Sequence, residues 1–170
     1  DYETLSSLKE HLIADDVFIT LGTTQKKTPD KDEYYRIDHD YPVLAAKLAQ
    51  ENGAKSIYAV TAIGANADSP AFYIKTKGEA ERDIIALNYE HTYLFRPSLI
   101  LGKRNEKRPI EKIMMGIWKV VNPLFVGELN KYKGMKAQDI AQAMIYAAKN
   151  PTEKLNILQW SEKNALSRNT

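Results

Sequence analysis

Two hydrophobic periods alternate along this chain. Leu5, Leu8 and Leu12 recur at helical spacing, and Val17-Phe18-Ile19-Thr20-Leu21 then forms an uninterrupted strand-like run. That run lacks in-out alternation, which predicts a strand covered on both faces rather than an exposed edge. Polar residues 22–32, with Pro29, read as a loop. Ile37, Tyr41, Leu44, Ala45 and Leu48 predict a helix that stops near Gly53 and either begins at Pro42 or kinks there. Ser56-Ile57-Tyr58-Ala59-Val60 is a second buried strand with Thr61 at its end. Residues 64–70 are turn-rich, and Ser69-Pro70 reads as the N-cap and first turn of a helix carrying Tyr73 and Lys77. Gly78 in that helix fits either close packing or a close ligand.

Thr92-Tyr93-Leu94-Phe95 is a third strand, stopped by Arg96-Pro97. After Pro109, the spacing of Ile110, Ile113, Met114, Ile117 and Val121 predicts a core helix in which Met114 and Trp118 serve packing. A helix over 137–148, a short strand over 155–158 and a frayed polar tail over 161–170 complete the pattern. Alternating helices and strands without repeats or a linker predict an α/β fold with a mostly parallel sheet.

Composition narrows the function classes. A chain of 170 residues with 44% hydrophobic content suffices for one domain with a core. A net charge of +2 is too mild to imply nucleic acid, and the basic stretch 103–108 is broken by Glu106, as expected of a solvated loop. Cysteine is absent, and His11, His39 and His91 share no metal-ligand spacing, so no metal site is expected. No apolar run approaches the roughly 20 residues that span a bilayer, and no charged-then-apolar leader opens the chain. The expectation is a soluble cytoplasmic protein with neither a nucleic-acid nor a membrane partner.

The candidate chemistry lies in Tyr73-Ile74-Lys75-Thr76-Lys77. A tyrosine four residues before a lysine on a helix places phenol and ammonium on one face. A nearby cation favours the ionised phenol and would lower its pKa from about 10, making it a proton donor and acceptor for carbonyl chemistry. The spacing alone is weak, since about one Tyr-x-x-x-Lys is expected by chance, and Tyr132 to Lys136 is a second. Context separates them. Thr61 ends a strand before Tyr73, whereas Gly134 interrupts the second spacer and makes Tyr132 a loop residue. The plain alternatives are a surface tyrosine with a solvated lysine at 73 and 77, and a β-branched strand end at Thr61.

Leu21-Gly22-Thr23-Thr24, Asp38-His39-Asp40-Tyr41, Thr61 with Gly64-Ala65, Tyr73 to Lys77 with Gly78-Glu79, Arg96-Pro97-Ser98 with Leu101-Gly102, and Asp139-Ile140-Ala141 occur in one order. Together, over residues 1–160, they resemble the atypical short-chain dehydrogenase/reductases, most closely the subgroup containing the Tat-interactive protein and its bacterial relatives. The resemblance implies a Rossmann-type, doubly wound parallel sheet and NAD(H) or NADP(H) as cofactor, the choice between them left open. The family's Gly-rich phosphate turn is not found here. By the resemblance, roughly 50 residues of the first mononucleotide-binding half are missing. Residues 1–160 are therefore expected to be the carboxyl-terminal part of such a domain, either a partial record of a longer protein or a fragment needing its other half.

Residue by residue, the resemblance makes Tyr73 the general acid, Lys77 the holder of the nicotinamide ribose hydroxyls, and Thr61 the donor to the substrate oxygen. It places Gly22 and Thr23 along the cofactor and Pro97 and Ser98 beside the nicotinamide. Asp1-Tyr2 falls where the family meets adenine, and Arg104 and Arg108 either meet a substrate anion or lie in a solvated loop. The implied function is an NAD(P)-dependent oxidoreductase acting on a small carbonyl or alcohol. A non-catalytic cofactor-binding regulator and a nucleotide-sugar epimerase or dehydratase remain alternatives, and a homo-oligomer covering the open sheet edge is a further one.

Overall fold

The computed structural model describes residues 2–101 and 135–159. The helix expected over 110–121, Tyr132, Arg104, Arg108, Asp1 and the tail over 161–170 lie outside these residues. Within them, a 3-10 helix (Tyr2–His11) precedes β1 (Asp16–Ile19), α1 (Lys31–Tyr35), a π turn (Arg36–Asp40), α2 (Tyr41–Glu51), β2 (Ser56–Val60), α3 (Phe72–Ala86) and β3 (His91–Phe95). The short strands β4 (Ile100–Leu101) and β5 (Met135–Lys136) pair with each other, and α4 (Ala137–Lys149) leads into β6 (Leu155–Leu158).

The main sheet has the order β1-β2-β3-β6 with every pair parallel. Its two faces are both covered, which is why β2 and β3 read as continuous apolar runs. On one side Ile57, Ala59 and Leu94 pack with Ala46 and Ala49 of α2 and Ile84 of α3. On the other, Tyr58, Tyr93 and Phe95 pack with Met135 and with Ile140, Ala143 and Met144. Each fully buried large side chain contributes about 1.5–3 kcal/mol relative to exposure.

β1 differs. It begins one residue earlier than expected and ends before Thr20, and among the described residues it is an edge strand, with Phe18 48% exposed. Phe18 stacks on Tyr58 at 4.8 Å, and Tyr58 on Tyr93 at 5.1 Å, so an aromatic ladder crosses three strands and ends in the open. A cleft of about 320 Å³ follows this edge, lined by Val17, Ile19 and Leu21 and by Tyr2, Tyr41 and Pro42.

The helix expected up to Gly53 begins beside Pro42, as its sequence predicts. Pro42 has no N–H to return to the carbonyl of residue 38, and the chain widens into the π turn just upstream before α2 begins. Gly53, at φ +97°, then provides the left-handed exit. Ser69 is not the N-cap of α3. Its Oγ accepts from the Ala71 N–H at 3.2 Å, closing a turn, and the helix starts at Phe72 with Ala71 as its cap.

Candidate functional site

Gly22 and Thr23 follow β1, Thr61 follows β2, and Pro97 and Ser98 follow β3, so the strands deliver these candidates to their shared carboxyl end, the side on which open α/β sheets bind ligands. The ladder continues beyond the strands, since the Thr61 N–H donates to Phe95 O at 2.8 Å and the Ile63 N–H to Pro97 O at 3.0 Å. Pro97 is buried and Ser98 half-buried.

α3 carries Tyr73 and Lys77 one helical turn apart. Gly78 permits its close approach: a Cβ there would lie 2.1 Å from the backbone carbon of Asn66 and 2.2 Å from the Ala67 nitrogen. Close packing is thus the reason for this glycine. Lys77 is turned inward, and its Nζ lies 2.6 Å from Asp38 Oδ1, with side chains only 9% and 1% exposed. The contact is an ion pair by distance without hydrogen-bond alignment, leaving Asp38 Oδ1 a buried acceptor with no aligned donor. Asp38 Oδ2 accepts from the Thr23 N–H at 2.7 Å. Gly22 completes the cluster, for a Cβ there would meet Asp38 Oδ1 at 3.3 Å and Lys77 Nζ at 3.5 Å. Gly22, Thr23 and Lys77 are therefore brought together, and Asp38 joins them.

Asp38 is a site residue that the sequence did not single out, although it lies in Asp38-His39-Asp40-Tyr41. The available signal was its position: Tyr34, Asp38, Pro42 and Ala46 recur every fourth residue, and all four are buried. A carboxylate on an apolar stripe is almost never buried without a partner.

The electrostatics of Tyr73 run opposite to expectation. Its pKa is raised, first by loss of solvation and then by the Asp38 carboxylate. Burial likewise raises Tyr34, with Asp38 and Tyr73 adding to the effect, so two neutral phenols border the same carboxylate. Tyr73 itself is 42% exposed and lies outside the cleft along β1.

Thr61 also differs from expectation. Its hydroxyl donates to Glu81 Oε1 at 2.5 Å and approaches Phe95 O at 3.3 Å. Glu81 in turn is gripped by Arg96, whose Nε lies 2.9 Å from Oε1 and whose terminal nitrogen meets Oε2. The structure spends this hydroxyl on a buried ion pair rather than turning it to Tyr73.

No family model matches the chain. Among solved structures it is similar to MoeE5 in complex with UDP-glucose and NAD, with a TM-score of 0.65 at 13% identity over 100% of this chain and 67% of that one. It is also similar to the UDP-N-acetylglucosamine 4-epimerase from Bacillus cereus, with a TM-score of 0.66 at 15% identity over 99% of this chain and 68% of that one. The fold is Rossmann-type. In sequence, the chain is 42% identical over 100 residues to "Protein FMP52, mitochondrial" of Candida albicans, covering 58% of this chain and 44% of that protein. Similarity to the protein of the same name from Saccharomyces cerevisiae is 40% over 92 residues, covering 54% and 40%. FMP52-1 of Scheffersomyces stipitis is 32% identical over 147 residues, covering 81% and 60%. The chain thus spans about half the length of the curated relatives it matches. Their names overturn the cytoplasmic expectation, which rested on the lack of cysteine and of a leader, since each is called mitochondrial. No helix among the described residues is long and apolar enough to cross a membrane.

Proposed function

We propose that this chain supplies the catalytic part of an NAD(P)-dependent oxidoreductase of the short-chain dehydrogenase/reductase type, acting on a small carbonyl or alcohol, in mitochondria. The observation that carries the proposal is the Lys77–Asp38 pair beside Gly22 and Thr23 at the carboxyl end of a parallel sheet. The resemblance to the Tat-interactive protein subgroup and the Rossmann-type fold support it. The residues suit a dinucleotide: the Lys77 ammonium, held by the Asp38 charge, has N–H donors for hydroxyl oxygens, and Asp38 Oδ1 is a buried acceptor with no aligned donor of its own. A side chain at position 22 would crowd both groups.

A nicotinamide would supply the hydride. The work of the chain is to orient and to move a proton. Lys77, fixed by Asp38, would hold hydroxyls of the cofactor ribose, with the backbone at Gly22 and Thr23 alongside and Pro97 and Ser98 on the nicotinamide side. Tyr73 Oη, a phenol kept protonated by its surroundings, would deliver a proton to the substrate oxygen. Thr61 takes no part in this scheme, and its hydroxyl serves Glu81.

The test is NADPH- and NADH-dependent reduction of a carbonyl panel by the full-length protein, with a UDP-sugar included to detect epimerisation. Tyr73→Phe is expected to lower turnover by about 10²–10⁴-fold while cofactor binding persists. Unchanged turnover would remove Tyr73 from the mechanism. The engagement of Thr61 by Glu81 favours a second reading, a cofactor-binding regulator without turnover, which binding without any reaction would support.

A further inference from the structure

His39 sits between two carboxylates. Its Nδ1 lies 2.7 Å from Asp40 Oδ1 and its Nε2 3.0 Å from Asp83 Oδ2, while its ring stacks on Tyr35 with centroids 4.5 Å apart. The side chain is only 10% exposed. A neutral imidazole has one N–H donor and an imidazolium has two. Asp40 is 48% exposed and solvated, and the Asp83 pKa is lowered, chiefly by hydrogen bonding to Arg82. Both partners are therefore acceptors, and the two contacts together require both ring nitrogens to carry hydrogen.

We infer that His39, as an imidazolium, is a positioning residue that holds the π turn against α3 and thereby sets Asp38 in place beside Lys77. Two charged links join those elements, and they come from adjacent residues. Asp38 reaches Lys77 and His39 reaches Asp83, both partners lying on α3. The π turn that contains Asp38 and His39 is a wide backbone turn of the kind that concentrates at functional sites. When the ring loses one proton, a nitrogen lone pair faces a carboxylate, one link opens, and the register of Asp38 against Lys77 loses a support. The other ionisable groups around the ring are Arg82 and Glu79 on α3 and Tyr35 beneath it, whose phenol is pushed up to about 12 by burial and by Glu79, Asp40 and Asp83. The ordinary pKa values of these residue types lie outside the histidine range.

This inference rests on the proposed cofactor site, and one arm of its test does not. In full-length protein, ring nitrogen-15 shifts of His39 and the side-chain resonances of Lys77 are followed from about pH 5.5 to about pH 8.5. The expected result is two protonated nitrogens at the acidic end, and Lys77 resonances that move with the midpoint of His39. A neutral His39 ring throughout, or Lys77 resonances indifferent to its titration, would overturn the inference. In the second arm, NAD⁺ affinity should fall about fivefold or more over the same range in the wild type. It should stay flat in His39→Arg, which keeps a permanent cation, whereas a uniform loss without a change of pH profile in that variant would mark a merely structural residue. Absence of NAD⁺ binding at every pH would defeat the functional reading and leave the nuclear-resonance arm to decide this one.

Discussion

Lys77 is bound to Asp38, at 2.6 Å, and the Asp38 carboxylate helps raise the pKa of Tyr73. The pairing governs the charge of the whole site. Breaking it from one side strands a buried ion, so Asp38→Ala is expected to destabilise the fold by about 3–5 kcal/mol, whereas Asp38→Ala combined with Lys77→Met should cost less than the two single changes added together. Urea unfolding of the four proteins in a double-mutant cycle measures this. Additive costs would show that the pair contributes no coupling.

Gly78 offers a test of how α3 is seated. A Cβ there would overlap the backbone at Asn66 and Ala67, which is not the flexible end of a side chain. Gly78→Ala should therefore lower the melting temperature through backbone displacement costing about 1–3 kcal/mol or more, even though alanine favours helix by up to about 1 kcal/mol. A thermal scan decides it, and a stabilised variant would contradict the packing.

Thr61 is predicted to act through stability. Thr61→Val removes a donor to buried Glu81 and should cost about 1–3 kcal/mol. Its turnover per folded molecule should match the wild type. A selective loss of turnover at unchanged stability would instead restore the hydroxyl to the reaction.

The phenols predict an alkaline limit. Folded Tyr34, Tyr35, Tyr73 and Tyr89 all have raised pKa values, about 12 for Tyr35, chiefly through burial. The folded state therefore retains protons that the unfolded chain releases near pH 10, so these groups leave stability unchanged below about pH 9 and reduce it as pH rises beyond about 10. Denaturant midpoints measured up to about pH 11 should fall over that last interval. A flat profile would mean that these phenols titrate normally.

Strand identity was legible in the sequence at β2 and β3, where both sheet faces are covered, β2 coinciding with its apolar run and β3 differing by His91 alone; the edge strand β6 also coincides with the predicted range although Leu155 and Ile157 are exposed. β1 was placed less well. Thr20 and Leu21 continue the strand-like run but leave the ladder, and Phe18, on the face that α4 covers at β2 and β3, is left half-exposed at the sheet edge. The Tyr73–Lys77 spacing was also legible, but its electrostatics were not. Spacing along one helix says which side chains are neighbours on that helix, whereas the charge nearest Lys77 arrives from a π turn distant in sequence. The same limit applies to Thr61, whose partner Glu81 lies on α3 and is itself held by Arg96 beyond β3.

The Lys77 ammonium is the group expected to receive a dinucleotide. Fluorescence titration of NADPH and NADH into the full-length protein, wild type and Lys77→Met, measures this directly. Saturable binding that weakens by about tenfold or more in the folded variant is predicted, a loss of about 1.4 kcal/mol. Equal affinity in the two proteins, or no binding by the wild type, would contradict it.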